Sequence, residues 1–250
     1  MSWFRRRKEP QWILFGSTVI GATHIRKGKP NQDDLMMGRD GTRAGFVALA
    51  DGHGGERYTR SDEGARAAVE CAGQLLLDIL AGGSVDNFGQ KLVERWRAAV
   101  SELGDDPIPF GSTALGVAVT PERIFAYRLG DGDVLAVSEA GQVIDLFESG
   151  NADLGDDTNS LCTENAANLF QIVDHPIDHW QPTMLFASTD GYAKSFQDRA
   201  GFLAVASDLY QAARQQGPEV VEAELEGWLR QTSDQGSGDD ITVGVILRTS

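Results

Sequence analysis

The sequence predicts an α+β layered domain. Apolar runs with strand-like residues open and close the chain, the stretch from Arg60 to Leu103 changes to a helical period, and strands and helices come in blocks. Strict βαβ alternation would interleave them one by one, so a parallel doubly wound sheet is disfavoured.

Taken in order, residues 11–25 and 44–50 are apolar and β-branched or aromatic, bounded by Gly and Asp, and read as strands. Residues 27–34 between them are polar, with Gly28 and Pro30, and read as a loop. Over 60–79, Ala65, Ala68, Val69, Ala72, Leu75, Leu76 and Ile79 form a helical stripe ended by Gly82-Gly83. A second helix follows over 87–103, with Leu92, Trp96, Ala99, Val100 and Leu103 on its inner face. Residues 112–120, 123–129 and 134–138 return to period two and read as a β-meander with turns at 121–122, 130–133 and 140–141. Residues 149–168 have little periodicity and read as a surface insertion. A strand over 184–188, helices over 200–215 and 218–231, and a last strand over 241–247 complete the chain. The expected organisation is a basic tail over 1–10 and one domain over 11–250.

Composition narrows the function. The chain has 22 basic and 37 acidic side chains, a formal charge of −15. Four of the basic residues sit in the tail, leaving 18 against 36 beyond residue 10. Nucleic acid is excluded as main partner, because phosphate-backbone affinity comes from clustered cations. The two cysteines, Cys71 and Cys162, match no paired-thiol spacing and imply a reducing, cytoplasmic setting. No apolar run reaches the roughly 18–20 residues of a membrane span. Arg5-Arg6-Arg7 before an apolar run is like a twin-arginine export signal, but the run is short and leads into His24, Arg26, Lys27 and Lys29. A first strand behind a basic tail is the better reading.

Four aspartates mark strand ends where the chain must turn: Asp33 in Asn31-Gln32-Asp33, Asp51 in Asp51-Gly52-His53-Gly54-Gly55, Asp190 in Thr189-Asp190-Gly191, and Asp239 in Asp239-Asp240-Ile241-Thr242. Each alone reads as an ordinary turn. Together they suit a hard divalent cation, Mg²⁺ or Mn²⁺, which takes carboxylate, carbonyl and water oxygens.

With Gly111-Ser112-Thr113 and Gly130-Asp131, these segments stand in the order and spacing of the N-E-D, D-G-x-G-G, G-S-T, G-D-S-R, S-D-G and D-N-I-T motifs. The chain thereby resembles the metal-dependent protein phosphatases of the type 2C (PPM) family, from about residue 15 to 247, in a divergent bacterial form. The resemblance implies a central β-sandwich of two antiparallel sheets flanked by helix pairs. It implies two Mn²⁺ or Mg²⁺ ions, bridged by Asp51, with the Gly52 carbonyl on one, Asp190 and Asp239 on the other, and Asp33 acting directly or through water. Asp131 matches a ligand of a third, weaker metal, a hairpin turn being the alternative. Water held between the ions would attack the phosphorus of phosphoserine or phosphothreonine in line. His53 is the natural general acid for the leaving alkoxide. The expected substrates are proteins phosphorylated by a Ser/Thr kinase of the same cell, and the expected state is monomeric. A weakly active pseudophosphatase that binds a regulatory partner, and a phosphatase of small phosphomonoesters, are the alternatives.

Four departures stand out. The arginine that members place five residues before the first aspartate is Gly28 here, and Arg26, then His24, are the substitutes for holding substrate phosphate. Gln32 replaces the usual glutamate and Asp240 the usual asparagine, and Asp133 stands where G-D-S-R has arginine. His175 and His179 flank Pro176 and read as surface residues; the 149–168 insertion, with Asp153, Asp156 and Asp157, falls where the family carries its variable flap.

Overall fold

In a computed structural model of the chain the described residues are 11–147, 158–177 and 181–249. The basic tail, His179, and residues 148–157 of the insertion region, with Asp153, Asp156 and Asp157, lie outside them. In chain order the elements are β1 (Gln11–Val19), α1 (Ala22–Lys27), β2 (Asp33–Asp40), β3 (Ala44–Asp51), α2 (Ser61–Leu80), α3 (Phe88–Ser101), β4 (Ala114–Val119), β5 (Arg123–Leu129), β6 (Asp133–Val137), β7 (Val143–Asp145), β8 (Gln171–Pro176), β9 (Met184–Ser188), α4 (Asp190–Ala193), α5 (Arg199–Gln216), α6 (Pro218–Gln235) and β10 (Ile241–Thr249). One sheet runs β1-β10-β9-β6-β7, the other β2-β3-β4-β5-β8. Every named pairing is antiparallel.

Alternation along the strands builds four layers. In β3, Phe46, Ala48 and Ala50 turn to α2 and α3, while Val47 and Leu49 turn to the opposite sheet. In β10, Val243, Val245 and Leu247 face α5 and α6, and Ile246 faces inward. Central strands are therefore apolar on both faces, which is why their sequences read as near-continuous hydrophobic runs. The stripe foreseen on α2 is buried at Ala65, Ala68, Val69, Ala72, Leu75, Leu76 and Ile79. On α3, Leu92, Trp96 and Val100 are buried, and the indole of Trp96 donates to the Gly64 carbonyl at 2.9 Å. A fully buried leucine such as Leu76 or Leu92 contributes about 1.5–3 kcal/mol relative to exposure.

The structure corrects several expected elements. Residues 22–27 are helix, not strand: Gly28 closes α1 at φ 65°, a left-handed conformation that glycine adopts without steric cost. The same conformation accounts for the lost arginine, since any other side chain at position 28 would be strained. β2 begins at Asp33, inside the expected loop, and its polar sequence hid it. The edge strand β8 is mostly exposed and gave no alternation to read. The expected meander breaks after β5, because β6 pairs with β9 and β7 in the other sheet. The later half of the 149–168 segment is not wholly surface: Leu161 and Ala166 are fully buried against the α2–α3 side, while Glu164 and Asn165 stay exposed. Asp133, in the place of an arginine, accepts from Arg199 of α5 at 2.5 Å, and Arg199 also reaches Asp145 at 2.6 Å. The acid and its cation are joined across the sheet–helix interface.

Candidate active site

Two segments hold Asp51 in place. Its backbone N–H donates to the Thr113 hydroxyl at 2.9 Å, and its carbonyl accepts from the Thr113 N–H at 2.8 Å and the Ser112 hydroxyl at 3.1 Å. The Gly-Ser-Thr segment is thus the brace of the Asp51 strand end. From the other side, Gly52 donates to the Gln32 carbonyl at 2.9 Å. Asp33 stands directly opposite Asp51 in the β2–β3 register.

Asp33 is tied to the second sheet. Its Oδ2 accepts from the hydroxyls of Thr189 at 2.7 Å and Thr242 at 2.8 Å. These two threonines follow β9 and open β10, so they draw the strand ends bearing Asp190 and Asp239 toward the first sheet. Gly191 permits the last approach: a Cβ there would lie 2.1 Å from the Asp240 carbonyl oxygen. Asp240 gathers a further three groups, accepting from the backbone of Gly21 at 2.6 Å and Gln32 at 2.7 Å and meeting His24 Nδ1 at 2.9 Å. A carboxylate rather than an amide suits this position, because it accepts throughout.

The result is a cavity of about 160 Å³ lined by His24, Gln32, Asp51, Gly52, His53, Gly54, Thr113, Asp131, Thr158, Asp190, Lys194, Asp239 and Asp240. Of the residues singled out from sequence, His24, Asp51, Gly52, His53, Asp131, Asp190 and Asp239 meet here. Asp33 lies behind the lining, buried. Arg26 is not brought in; its guanidinium donates to the Thr23 hydroxyl at 2.9 Å. Sequence reading missed Lys194, whose ammonium is hydrogen-bonded to Asp190 Oδ2 and lies 4.0 Å from Asp131 Oδ2. Its spacing was a signal, since a residue four after Asp190 shares its face of a helix.

The electrostatics are those of a cation site. Burial, then the charges of Asp240 and Asp190, raise the Asp33 carboxyl well above the usual range against the pull of its two hydroxyl donors. Burial, then Asp33, Asp190 and Asp239, raise Asp51 likewise. Burial and Asp190 push Asp131 up to about 6. Burial works against the Lys194 ammonium, yet the hydrogen bond and charge of Asp190, helped by Asp131, raise it. Among the described residues no three acidic, imidazole or thiol groups close into a ready coordination cage. The donors still fit a hard divalent ion: carboxylates converge from separate segments, and Asp190 Oδ1 and Gln32 Oε1 are buried with no hydrogen-bond donor. No helix among the described residues is long and apolar enough to cross a membrane.

The fold has solved counterparts. The serine/threonine phosphatase of S. agalactiae is 17% identical with a TM-score of 0.66, over 94% of this chain and 99% of that one. The catalytic domain of the phosphatase PstP in complex with two manganese ions is 15% identical with a TM-score of 0.63, over 96% and 100%. The PstP/Ppp phosphatase of Mycobacterium tuberculosis is 16% identical with a TM-score of 0.62, over 95% and 98%. At these identities the likeness is one of fold. No curated protein matches the sequence significantly. The family model of protein phosphatase 2C matches residues 20–230, a span that includes Asp33, Asp51, Asp131 and Asp190 and ends before Asp239 and Asp240. This chain belongs to the protein phosphatase 2C family of phosphoprotein phosphatases.

Proposed function

We propose that the chain, as one catalytic domain over 11–250, is a monomeric cytoplasmic serine/threonine phosphatase that needs Mn²⁺ or Mg²⁺. The single observation supporting this is the convergence of Asp51, Asp131, Asp190 and Asp239 with His53 on one small cavity, with Asp33 behind them. In this reading Asp51, Asp190, Asp239 and the Gly52 carbonyl would hold two divalent cations, Asp33 would support them, and Asp131 would serve a third. Bound there, the cations supply charge for the phosphoryl oxygens and an acidified water as nucleophile. The remaining work falls to the chain. Asp51 keeps its orientation through Ser112 and Thr113. His53, braced by its N–H on the Gly111 carbonyl at 3.1 Å and its ring 4.8 Å from that of Tyr58, gives its proton to the departing serine or threonine oxygen. His24, held by Asp240, lines the cavity and would be a second contact for the phosphate, while Arg26 stays on Thr23.

The test is hydrolysis of a phosphothreonine peptide with Mn²⁺, with EDTA, and in Asp51→Asn and Asp190→Asn. Turnover that needs the cation and falls by about 10²-fold or more in both variants is expected, each having lost an anionic ligand that would hold the cation. No cation-dependent turnover on any phosphomonoester would overturn the reading.

A further inference from the structure

We propose that Lys194 is the phosphate-binding residue of this cavity, its ammonium receiving the phosphoryl oxygens of the substrate at the Asp131 end. The inference rests on the phosphatase reading and adds, beside the divalent cations of that reading, a lysine side chain for the substrate phosphate. Among the described residues, five carboxylates line the cavity: Asp51, Asp131, Asp190, Asp239 and Asp240. Lys194 is the one lysine or arginine among the described lining residues. Divalent cations held by Asp51, Asp190 and Asp239 would offset part of that charge, and Asp131 would still repel a phosphomonoester dianion at its end of the cavity unless a positive group meets it there.

The neighbouring cations are spent elsewhere. Arg26 donates to Thr23, and Lys29 donates to the Gly54 carbonyl at 3.2 Å on the rim. Lys194 differs in place and in freedom. It follows α4, one turn beyond Asp190, which sets its ammonium on Asp190 and 4.0 Å from Asp131. Its side chain is 58% exposed, so the stem swings without disturbing the core. An ammonium carries three rotatable donors, and the described hydrogen bonds use one, on Asp190. A compact charge with rotatable donors suits the spread oxygens of a phosphoryl group, where a planar guanidinium needs a two-pronged approach.

The experiment compares the full-length protein with Lys194→Gln and Lys194→Arg, after checking that all three melt alike. Inorganic phosphate binding is followed by calorimetry in Mg²⁺, KM and kcat on a phosphothreonine peptide, and half-saturation by Mn²⁺. Lys194→Gln is expected to weaken phosphate binding and raise KM by about tenfold or more, as loss of a charged hydrogen bond does, with kcat less affected. Lys194→Arg should recover part of the loss. Unchanged phosphate affinity and KM beside a shifted Mn²⁺ half-saturation would overturn the proposal, because the ammonium would then only balance Asp131 and Asp190. Absence of phosphate binding by the unaltered protein would overturn it too. Should the unaltered protein bind phosphate through Lys194 yet hydrolyse no ester, the phosphatase reading fails and this assignment stands; robust turnover with a silent Lys194→Gln is the converse.

Discussion

Asp33 and Asp51 are register partners, the first residue of β2 facing the last of β3 across an antiparallel pair. Like charges directly opposite destabilise a sheet. The pairing persists because the strands are fixed along their length, down to Asp40 opposite Ala44, and because Thr189 and Thr242 hold Asp33 from the other sheet. The fold therefore confines two carboxylates that repel, and only protons or a cation reconcile them.

That confinement has a pH signature. Asp33 and Asp51 are raised above the ordinary 3.8. The folded protein then binds more protons than the unfolded chain from about pH 4 up to the raised values, so its stability falls as pH rises through that window. In EDTA the melting temperature is expected to drop between pH 5 and pH 8. Mn²⁺ at about a hundred times its Kd should restore about 2.7 kcal/mol at pH 8 and less at pH 5, where protons compete. A Mn²⁺ effect independent of pH would count against these carboxylates as its site.

His53 as proton donor is tested by the leaving group. Serine and threonine alkoxides are poor leaving groups, whereas p-nitrophenolate departs without a proton. His53→Gln should lower kcat on a phosphothreonine peptide by about 10²-fold or more and barely alter it on p-nitrophenyl phosphate. Equal losses on both substrates would assign His53 to binding or to shape.

Arg199 clamps α5 to the turn that carries Asp131. Its two nitrogens reach Asp133 at 2.5 Å and Asp145 at 2.6 Å, and Asp133 is 3% exposed. Removing one partner of a buried pair costs about 3–5 kcal/mol; since Arg199 is itself partly exposed, about 2 kcal/mol is expected for Arg199→Ala. Burial already pushes Asp133 up to about 6 against the pull of Arg199. Without that pull it rises further, so the ionised form is penalised above about pH 6 and the penalty fades as pH falls. Urea unfolding should show a larger deficit at pH 8 than at pH 5.5, and an equal deficit at both would refute the account.

Much of the fold was legible. The stripes on α2, α3, α5 and α6 repeat every three or four residues because each helix covers one sheet face, and that period survives in sequence. Asp51, Asp190 and Asp239 were legible because Gly beside Asp at a strand end is a local feature, and Asp33 because it follows Asn31-Gln32. What escaped notice lacked local pattern. β2 begins with two aspartates and β8 is exposed, so neither alternates. α1 is six residues long, too short for a period. The crossing of β6 into the second sheet is settled by its partner β9, about fifty residues away.

Sequence by itself determined the block order of strands and helices, the family through its motifs, and which carboxylates and which histidine stand at strand ends, since propensity, periodicity and turn chemistry act between near neighbours. Tertiary structure decided the rest: that Asp33 opposes Asp51, that Thr113 braces Asp51 from sixty-two residues away, that Asp240 joins His24 to the start of β2, and that Lys194 rather than Arg26 enters the cavity. Those relationships depend on strand register and on the meeting of two sheets, and register is set by the packing of both faces at once, which no single segment encodes.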